Sequence, residues 1–327
     1  MTVTSAEVIS KNSHQDSENP GISANGRYVV FVADADSLVN GDNNGKRDIF
    51  VYDRDTDTTE RISISSSGFE SNNNADSPSI SSNGRFITFQ SSASNLVEGD
   101  TNQRNDIFVY DRETHQVERI SVSNSGAQSN GDSYPPSISG DGRYVAFQSA
   151  ASNLIDNDTN NESDIFVYDR DENSIERVSV SSSGTEANGV SSTPHLSADG
   201  RYVTFSAFAS NLVNSDTNSR SDIFVYDRQT HIIKRVSLGD ELTEGNSSSI
   251  NPRLSSNGRY ITFESKASNL VSNDTNHESD ISSMTATRAK LSGPLSMTKA
   301  KKVMEIPLTL AFQLMADSLP SPLRRQI

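Results

Sequence analysis

The sequence predicts an all-β protein made of repeated four-stranded antiparallel sheets. Three observations predict this fold: a pattern that recurs every 58 residues, short apolar runs of five to seven residues in each copy, and no apolar spacing of helical period within the repeat. A fixed period of this size is typical of one supersecondary unit that stacks on copies of itself, because the unit alone cannot bury its apolar faces. The missing 3.6-residue period excludes helical solenoids.

The repeat is defined by a proline, a Gly-Arg-aromatic step and an apolar run. Prolines open the five copies, at Pro20, Pro78, Pro136, Pro194 and Pro252. The Gly-Arg-aromatic step begins at Gly26, Gly84, Gly142, Gly200 and Gly258. The run Asp-Ile-Phe-Val-Tyr-Asp-Arg begins at Asp48, Asp106, Asp164 and Asp222. Because the first four copies align without a gap, we expect four equivalent units.

The copy at residues 78–135 shows the order of the first predicted elements. Residues 79–81 form a short first strand, and 82–85 form a turn in which Gly84 is free to take a positive φ. Residues 86–91 are β-branched and aromatic, which predicts the second strand. A long polar loop follows, from residue 92 to residue 105.

Two further strands complete the copy. Residues 106–111 form the third strand, and 112–115 a tight connection. Residues 117–123 alternate in the manner of a partly exposed outer strand. The third strand is apolar on both faces, so it needs a neighbouring sheet on each face. Four antiparallel strands stacked between like units form a blade of a β-propeller; a β-solenoid is the alternative, although its coils are usually much shorter.

The repeat divides the chain into three parts. Residues 1–19 form an N-terminal segment, in which 7–10 are predicted as a lone outer strand. The blades occupy residues 20–77, 78–135, 136–193, 194–251 and, in part, 252–281. Residues 282–327 form a tail of different character. The predicted propeller is therefore incomplete or open, with four full blades and a partial fifth.

Composition excludes several classes of function. Of the 327 residues, 32% are hydrophobic, and there is no Cys and no Trp, so neither a disulfide framework nor a thiolate metal site is expected. The formal net charge of −15 disfavours binding to nucleic acid or to an anionic membrane surface. No run approaches the length of a membrane-spanning helix. The first residues have no basic or apolar segment, so no signal peptide is expected.

Two segments of the third copy resemble a known family. Ser139-Gly140-Asp141-Gly142-Arg143-Tyr144-Val145-Ala146-Phe147 and the later Asp164-Ile165-Phe166-Val167-Tyr168-Asp169 are similar to the TolB-type, WD-repeat-like propeller blade of bacterial envelope proteins. The resemblance covers roughly residues 20–281. It implies a β-propeller that binds a protein or other macromolecule and a periplasmic or extracellular location for the parent protein.

The chain departs from that family in two features. An aliphatic residue precedes the turn where the family usually has an aromatic one, at Ile22, Ile80, Ile138, Leu196 and Leu254. The loop between the second and third strands is also longer than usual. Both departures weaken any transfer of a particular partner from the family.

The fifth copy breaks after Ile281. Where Phe50, Phe108, Phe166 and Phe224 predict an aromatic residue, the chain has Ser282. Four of the five Met residues lie in the tail, which has seven Lys or Arg residues and two acidic ones. Its net charge is therefore +5, and −15 less +5 leaves −20 for residues 1–281.

A shifted reading frame explains the tail. If the last base of each codon is joined to the first two bases of the next, residues 282–295 can be read as FVYDRNPGKIERAS. Residues 304–322 can be read in the same way as NGNSSNPGISADGRFVAFA, with its proline at position 310, which is 58 residues after Pro252. We infer that residues 282–327 are an out-of-frame translation of the rest of the fifth copy and the start of a sixth.

The long loops carry a repeated acidic pattern, Asp-x-Asn-x3-Asp. Oxygen ligands at alternate positions, followed by a later carboxylate, suit a hard cation such as Ca2+. The alternative is that these side chains order the loop through Asx hydrogen bonds. The residues are Asp42, Asn44, Asp48, Asp100, Asn102, Asp106, Asp158, Asn160, Asp164, Asp216, Asn218, Asp222, Asp274, Asn276 and Asp280. No other metal site, no catalytic residue and no other cofactor are expected.

Other recurring side chains have structural interpretations. One set of arginines recurs on the fourth strand and another ends the third strand, and both are predicted as ion-paired clamps: Arg61, Arg119, Arg177, Arg235, Arg54, Arg112, Arg170 and Arg228. Tyr28 and its equivalents are predicted core residues. His115 and His231 occupy matching exposed turns, and His14, His195 and His277 match nothing in the repeat. All five histidines are predicted to be solvated.

Three function hypotheses remain. No G-x-S-x-G elbow and no Walker or dinucleotide glycine loop occurs, and identical residues in every blade do not supply the different roles that catalysis needs. The leading hypothesis is therefore a non-catalytic propeller that binds a protein or other macromolecule, with no nucleic acid and no membrane insertion. The alternatives are a Ca2+-dependent surface or adhesion module and the propeller part of a larger hydrolase.

Overall fold

The computed structural model describes residues 16–34, 36–272, 274–276, 278–285 and the backbone of 301–303. These residues form five four-stranded antiparallel sheets, and the strands of each sheet lie in sequence order from the first to the fourth. The prediction of an all-β fold made of four-stranded blades is confirmed. The predicted strand at residues 7–10 lies outside the described residues.

The strands repeat with the period of the sequence. The first blade contains β1 (Ser17–Ile22), β2 (Tyr28–Ala33), β3 (Asp48–Asp53) and β4 (Thr58–Arg61). The second contains β5 (Ala75–Ile80), β6 (Phe86–Ser91), β7 (Asp106–Asp111) and β8 (Gln116–Arg119). The third contains β9 (Ser133–Ile138), β10 (Tyr144–Ser149), β11 (Asp164–Asp169) and β12 (Ser174–Arg177). The fourth contains β13 (Ser191–Leu196), β14 (Tyr202–Ala207), β15 (Asp222–Asp227) and β16 (Ile232–Arg235). The fifth contains β17 (Ser249–Leu254), β18 (Tyr260–Ser265), β19 (Asp280–Thr285) and β20 (Lys301–Val303).

The first strand of each blade is longer than predicted. In the second blade it begins at Ala75, whereas the sequence pattern placed its start at residue 79. The strand continues through a bulge, because Ser77 takes a φ of 54° and the register shifts between Asp76 and Ser79. A bulge inserts an unpaired residue without ending the ladder. The proline next to the bulge hid these residues from a prediction based on apolar runs.

The core lies between successive blades. All six residues of β7 are buried, as the sequence predicted for a strand that is apolar on both faces. Phe108 and Tyr110 on one face of β7 pack with Val51 of the preceding blade, while Ile107 and Val109 pack into the next cluster. Each sheet therefore shares its two faces with two neighbouring sheets.

Two residues mark the ends of the described row of blades. Ile22 in the first blade is 47% exposed, whereas its equivalent Leu254 in the last blade is 1% exposed. Conversely, Tyr260 in the last blade is 39% exposed, whereas its equivalent Tyr202 is 1% exposed. Each of these side chains would be covered by a further blade, so the described blades form an open row.

The fifth blade continues past the break in the repeat. Although the sequence pattern ends after Ile281, β19 runs through Thr285 and pairs with β18 along its whole length. The backbone of Lys301–Val303 adds a fourth strand beside Ile281–Ser283. The reason is that backbone hydrogen bonds extend a strand whatever its side chains are. Ser282 nevertheless faces Phe263, where the other blades have a pair of phenylalanine rings.

Candidate binding site in the central channel

The first strands of the blades lie next to one another and form the inner face of the row, which in a β-propeller borders the central channel. β1 contacts β5, β5 contacts β9, β9 contacts β13, and β13 contacts β17. The Ile138 N–H donates to Ser79 Oγ (3.3 Å), and the Leu196 N–H donates to Ser137 Oγ (3.0 Å). In both bonds the acceptor stands in the neighbouring blade, one position before the residue that is equivalent to the donor. Equivalent residues therefore lie at nearly the same depth in the channel.

At the far end of the first strands, backbone hydrogen bonds between small residues join neighbouring blades. A backbone hydrogen bond of 2.8 to 3.0 Å joins each blade to the next at one equivalent position. The participating residues, in order, are Ala24, Ser82, Gly140, Ala198 and Ser256. At Gly140 a Cβ would come within 2.7 Å of Ser82 Oγ, a side-chain atom that can rotate away, and the equivalent positions have alanine or serine. The turns after the first strands thus bring neighbouring backbones together at this end.

The other end, where the first strands begin, has an apolar group of side chains. Phe208 is 58% exposed, and its backbone N–H donates to the Val190 carbonyl oxygen at the start of β13. Tyr134 and Ile250 are exposed at the second residue of β9 and of β17. We call these four residues the apolar mouth. Large exposed apolar side chains clustered in one place are typical of binding surfaces.

The equivalent positions in the first two blades are charged. Glu18 and Asp76 stand where the third and fifth blades have Tyr134 and Ile250. Arg47 forms ion pairs with Glu18, with Asp34 (3.6 Å) and with Asp76 (2.8 Å). At the first two blades these charged side chains therefore pair with one another. The apolar mouth lies on the third, fourth and fifth blades.

Between the two ends, two adjacent first strands carry a histidine and an arginine. His195 and Arg253 occupy the depth at which the first three blades have Gly21, Ser79 and Ser137. His195 Nδ1 accepts a hydrogen bond from the Leu254 N–H (3.4 Å), so its proton is on Nε2. Burial, and then the charge of Arg253, lower the pKa of His195 to about 4. The imidazole is therefore neutral at pH 7.

Arg253 differs from the other arginines of the described blades in its electrostatics. Its side chain is exposed to solvent, yet the surrounding protein atoms lower its pKa. Its guanidinium forms no ion pair with a described residue, and its one hydrogen bond, at 3.5 Å, goes to the Pro252 carbonyl oxygen. The carboxylate that acts on it electrostatically is Glu264, whose Oε1 accepts from Asn251.

The acidic loops are closed by hydrogen bonds. In the first blade, Asn44 Oδ1 accepts from the Lys46 N–H (2.8 Å), which is an Asx turn, and Asn44 Nδ2 donates to Asp48 Oδ2 (2.8 Å). The same pair of contacts recurs around Asn102, Asn160, Asn218 and Asn276. Ser63 donates to the other oxygen of Asp48. The Asn side chain thus orders the loop against the start of the third strand.

An arginine lies among the carboxylates of these loops. The Arg61 guanidinium lies 2.7 Å from Asp42 and 3.9 Å from Asp48, and it also contacts Glu70. Arg119, Arg177 and Arg235 hold the same place in the next three blades. These arginines are the ion-paired clamps that the sequence predicted. The sequence pattern alone did not show that the side chains of these arginines enter the acidic loops.

The electrostatics of the loops follow from burial. Burial raises the pKa of Asp42 and of Asp216 to about 6, although the nearby arginine lowers both values. Burial also raises the pKa of Asp48. Within the described blades, no group of three or more His, Asp or Glu side chains is arranged so that it would hold a metal ion. The Ca2+ interpretation stays a prediction, and a guanidinium lies where the cation would bind.

A second set of arginines joins neighbouring blades. Arg112, at the end of β7, stacks over the Tyr28 ring of the preceding blade at 4.3 Å and donates to Glu60 (3.1 Å) of that blade. Arg170 and Arg228 make the equivalent contacts one and two blades later. Tyr28 is thus a packed residue between blades, and Arg112 is an inter-blade clamp.

The remaining histidines of the described chain have local partners. His115 Nδ1 lies 2.9 Å from the Tyr110 hydroxyl, and His231 Nδ1 lies 3.0 Å from the Tyr226 hydroxyl. Both histidines take a positive φ in the turn between the third and fourth strands. His14 and His277 lie outside the described residues. The prediction that all histidines are solvated is wrong for His195, which lies in the channel wall.

Comparison with known proteins shows the fold. No family model matches the chain, and no curated protein matches it. A solved structure of a TolB protein from Agrobacterium tumefaciens is 14% identical, with a TM-score of 0.50, over 88% of this chain and 81% of that one. The chain has a TolB-like β-propeller fold. At this identity the likeness establishes the architecture alone.

This TolB-like propeller is similar to further solved structures. An oligogalacturonate lyase from Vibrio parahaemolyticus is 12% identical, with a TM-score of 0.52, over 88% of this chain and 64% of that one. TolB from Acinetobacter baumannii is 18% identical, with a TM-score of 0.49, over 83% of this chain. The chain spans 52% of the length of that TolB. Nowhere in its described part does it contain a helix whose length and apolar character suit a bilayer crossing.

The repeat pattern did not reveal the residues of the channel. His195 and Arg253 were not recognised as a pair, and Phe208 was not singled out. Comparing equivalent positions of the copies would have found them, because these residues differ from their counterparts. At a position where the repeat has glycine and serine, a histidine and an arginine are unexpected, and at position 208 a phenylalanine stands where the other copies have small or charged residues.

Proposed function

We propose that this TolB-like propeller is a non-catalytic binding module that takes a protein segment at its apolar mouth. One observation carries the proposal: Tyr134, Val190, Phe208 and Ile250 are exposed at the same end of the channel. Their equivalents in the first two blades are Asp16, Glu18, Asp34, Asn74, Asp76 and Ser92. A fold that needed only stability would keep the polar residues that the repeat has elsewhere.

Charge and chemistry support a protein partner. The net charge of −15 disfavours nucleic acid, and aromatic and aliphatic side chains supply most of the binding energy in protein interfaces. The proposal includes no catalytic role, which is supported by the structural contacts of the repeated polar residues. It also includes a periplasmic or extracellular location for the parent protein, for which the absence of Cys is weak support.

The experiment is a selection followed by affinity measurements. Peptides selected from a displayed random library on the wild-type protein are labelled, and their affinity is measured by fluorescence polarisation. We expect Phe208→Ser and Tyr134→Ser, which introduce the residue of an equivalent blade, to weaken binding about ten-fold or more. The matched control is Phe69→Thr, because Phe69 is 69% exposed and lies outside the apolar mouth.

Two outcomes contradict this proposal. One is that no peptide is selected. The other is that the selected peptides bind the Phe208 and Tyr134 variants as tightly as the wild type, or that the Phe69 control weakens binding equally. Thermal melting of each variant distinguishes loss of binding from loss of folding.

A further inference from the structure

We propose that Arg253 and His195 form a carboxylate site in the channel, and that it takes the free C-terminus of an extended apolar peptide. The inference rests on the proposed function, because it names the group that the bound segment would place below the apolar mouth. The two side chains come from adjacent first strands, β17 and β13, and they replace the glycine and serines of the other blades.

The donors of this site are available to a ligand. Arg253 forms no ion pair with a described residue, although the chain as a whole is strongly acidic. Arg47, at the mouth beside the first two blades, provides the contrast, since three carboxylates surround it. A planar guanidinium presents two parallel N–H groups, which match the two oxygens of a carboxylate. His195 adds an N–H at Nε2, because its Nδ1 is an acceptor for the Leu254 N–H.

The surroundings strengthen an interaction with an anion. Surrounding protein atoms lower the pKa of both Arg253 and His195, so they disfavour the protonated forms relative to water. A carboxylate between them would restore solvation to the guanidinium. Glu264 is the competing carboxylate, but its Oε1 accepts from Asn251 Nδ2 at 3.1 Å.

The depth of the site selects a chain end. Ile250 lies at the apolar mouth and Arg253 is three residues further along β17, but the bulge between them leaves their partners on β18 two residues apart. At about 3.3 Å per strand residue, the two are separated by roughly 7 Å. Beyond Arg253, Ser256 belongs to the row of small residues at which backbone hydrogen bonds join neighbouring blades. A peptide that enters at the mouth would end at Arg253, and its side chains two to four residues before the carboxylate would contact the mouth.

The test uses two forms of one peptide. N-terminally fluorescein-labelled Phe-Leu-Ala-Val is prepared with a free carboxylate and with a C-terminal amide, and both are titrated with the full-length protein by fluorescence polarisation. We expect the acid to bind about ten-fold more tightly than the amide, because a buried charged hydrogen-bonding group is lost in the amide. Acetate and benzoate as competitors distinguish a site for any small carboxylate from one that also requires the apolar chain.

Variants assign the preference to the named residues. Arg253→Gln should remove the preference for the acid and leave the affinity for the amide unchanged, and Arg253→Lys should keep part of it. His195→Ser restores the residue of the preceding blade and should reduce the preference. Arg220→Gln, at an exposed arginine of an acidic loop, is the control and should change nothing.

The outcomes separate the two proposals. Equal affinity for acid and amide, or an acid preference that survives Arg253→Gln, would overturn the carboxylate site. If both peptides bound equally and both were weakened by Phe208→Ser, the binding function would stand without that site. If neither peptide bound the wild-type protein, both proposals would fail for apolar peptides.

Discussion

Gly84 lies against the ring of Tyr28 in the preceding blade, and a Cβ at Gly84 would come within 2.1 Å of Tyr28 Cδ2. The residue also takes a φ of 74°, which disfavours any side chain. Two requirements therefore meet at one position: the turn between the first two strands needs a left-handed residue, and the neighbouring blade needs the space. Together, the two requirements explain why the Gly-Arg-aromatic step of the repeat begins with glycine.

We expect Gly84→Ala to lower the free energy of unfolding by more than the left-handed conformation alone explains. That conformation costs an alanine about 1 to 2 kcal/mol, and the contact with Tyr28 adds to it. Gly68→Ala is the control, because Gly68 also has a positive φ but has open space at its Cβ. Equal losses for the two variants, measured by denaturant unfolding, would contradict the packing argument.

Arg177 is predicted to be essential for the loop of the third blade. Its guanidinium lies 3.3 Å from Asp158, 3.1 Å from Asp164 and 2.9 Å from Glu186, and its side chain is buried. Removing one partner of a buried ion pair typically costs about 3 to 5 kcal/mol, because the other charge is left unpaired. Arg177→Gln should therefore lower the unfolding free energy strongly. Arg104→Gln, at an exposed arginine, should have little effect.

The same geometry predicts the response to a chelator. Because Arg119 lies 3.0 Å from Asp100 and already pairs with it without a metal ion, EDTA should leave the melting temperature unchanged. If the loops do bind Ca2+, EDTA would lower the melting temperature and Asp100→Ala would remove part of that effect. Calorimetric titration with CaCl2 provides an independent measurement.

Stability should increase when the pH is lowered from 7 to 5. Burial raises the pKa of Asp42 and Asp216 to about 6 in the folded state, so folding favours their protonated forms. A raised pKa contributes stability that is present below the unfolded value and is lost as the pH rises through about 6. Asp216→Asn should reduce the increase. A melting temperature that falls steadily from pH 7 to pH 5 would contradict this assignment.

Below pH 4, a further decrease in pH should lower the stability of the fold. Hydrogen bonds from Arg27 lower the pKa of Asp53 to about 2, so its stabilising contribution is lost as the pH falls from its unfolded value of 3.8 toward 2. The melting temperature should therefore pass through a maximum between pH 4 and 5. Arg27→Gln should weaken the acid-side loss, whereas a flat profile between pH 4 and 2 would show that this pair contributes nothing.

The end of the fifth blade can be tested by truncation. Met284 is buried against Tyr202 and Ile261, so a chain that ends at residue 281 loses this contact and about 1.5 to 3 kcal/mol. A chain that ends at residue 303 keeps it. We expect the shorter chain to be less stable in denaturant unfolding. Equal stability would support the sequence-based view that the evolved fold ends at Ile281.

The fifth blade also shows the structural consequence of the break in the repeat. The repeat predicted that Ser282 breaks the pattern, and the structure places it opposite Phe263 in the position of the lost phenylalanine. Thr285 likewise pairs with Tyr260 where the other blades have the aspartate that binds the Gly-Arg-aromatic arginine. What the pattern did not predict is that the backbone continues the strand, since hydrogen bonding of the main chain does not depend on these side chains.

The sequence by itself determined the period, the four strands of each blade and the burial of the third strand, because these follow from local patterns of apolar and turn residues. Only the tertiary structure decided which arginine enters which acidic loop and which joins two blades. It also decided that His195 and Arg253, 58 residues apart in the chain, meet in the channel wall. The physical reason is that such contacts arise from the stacking of whole sheets, and no local pattern records which side chains the stacking brings together.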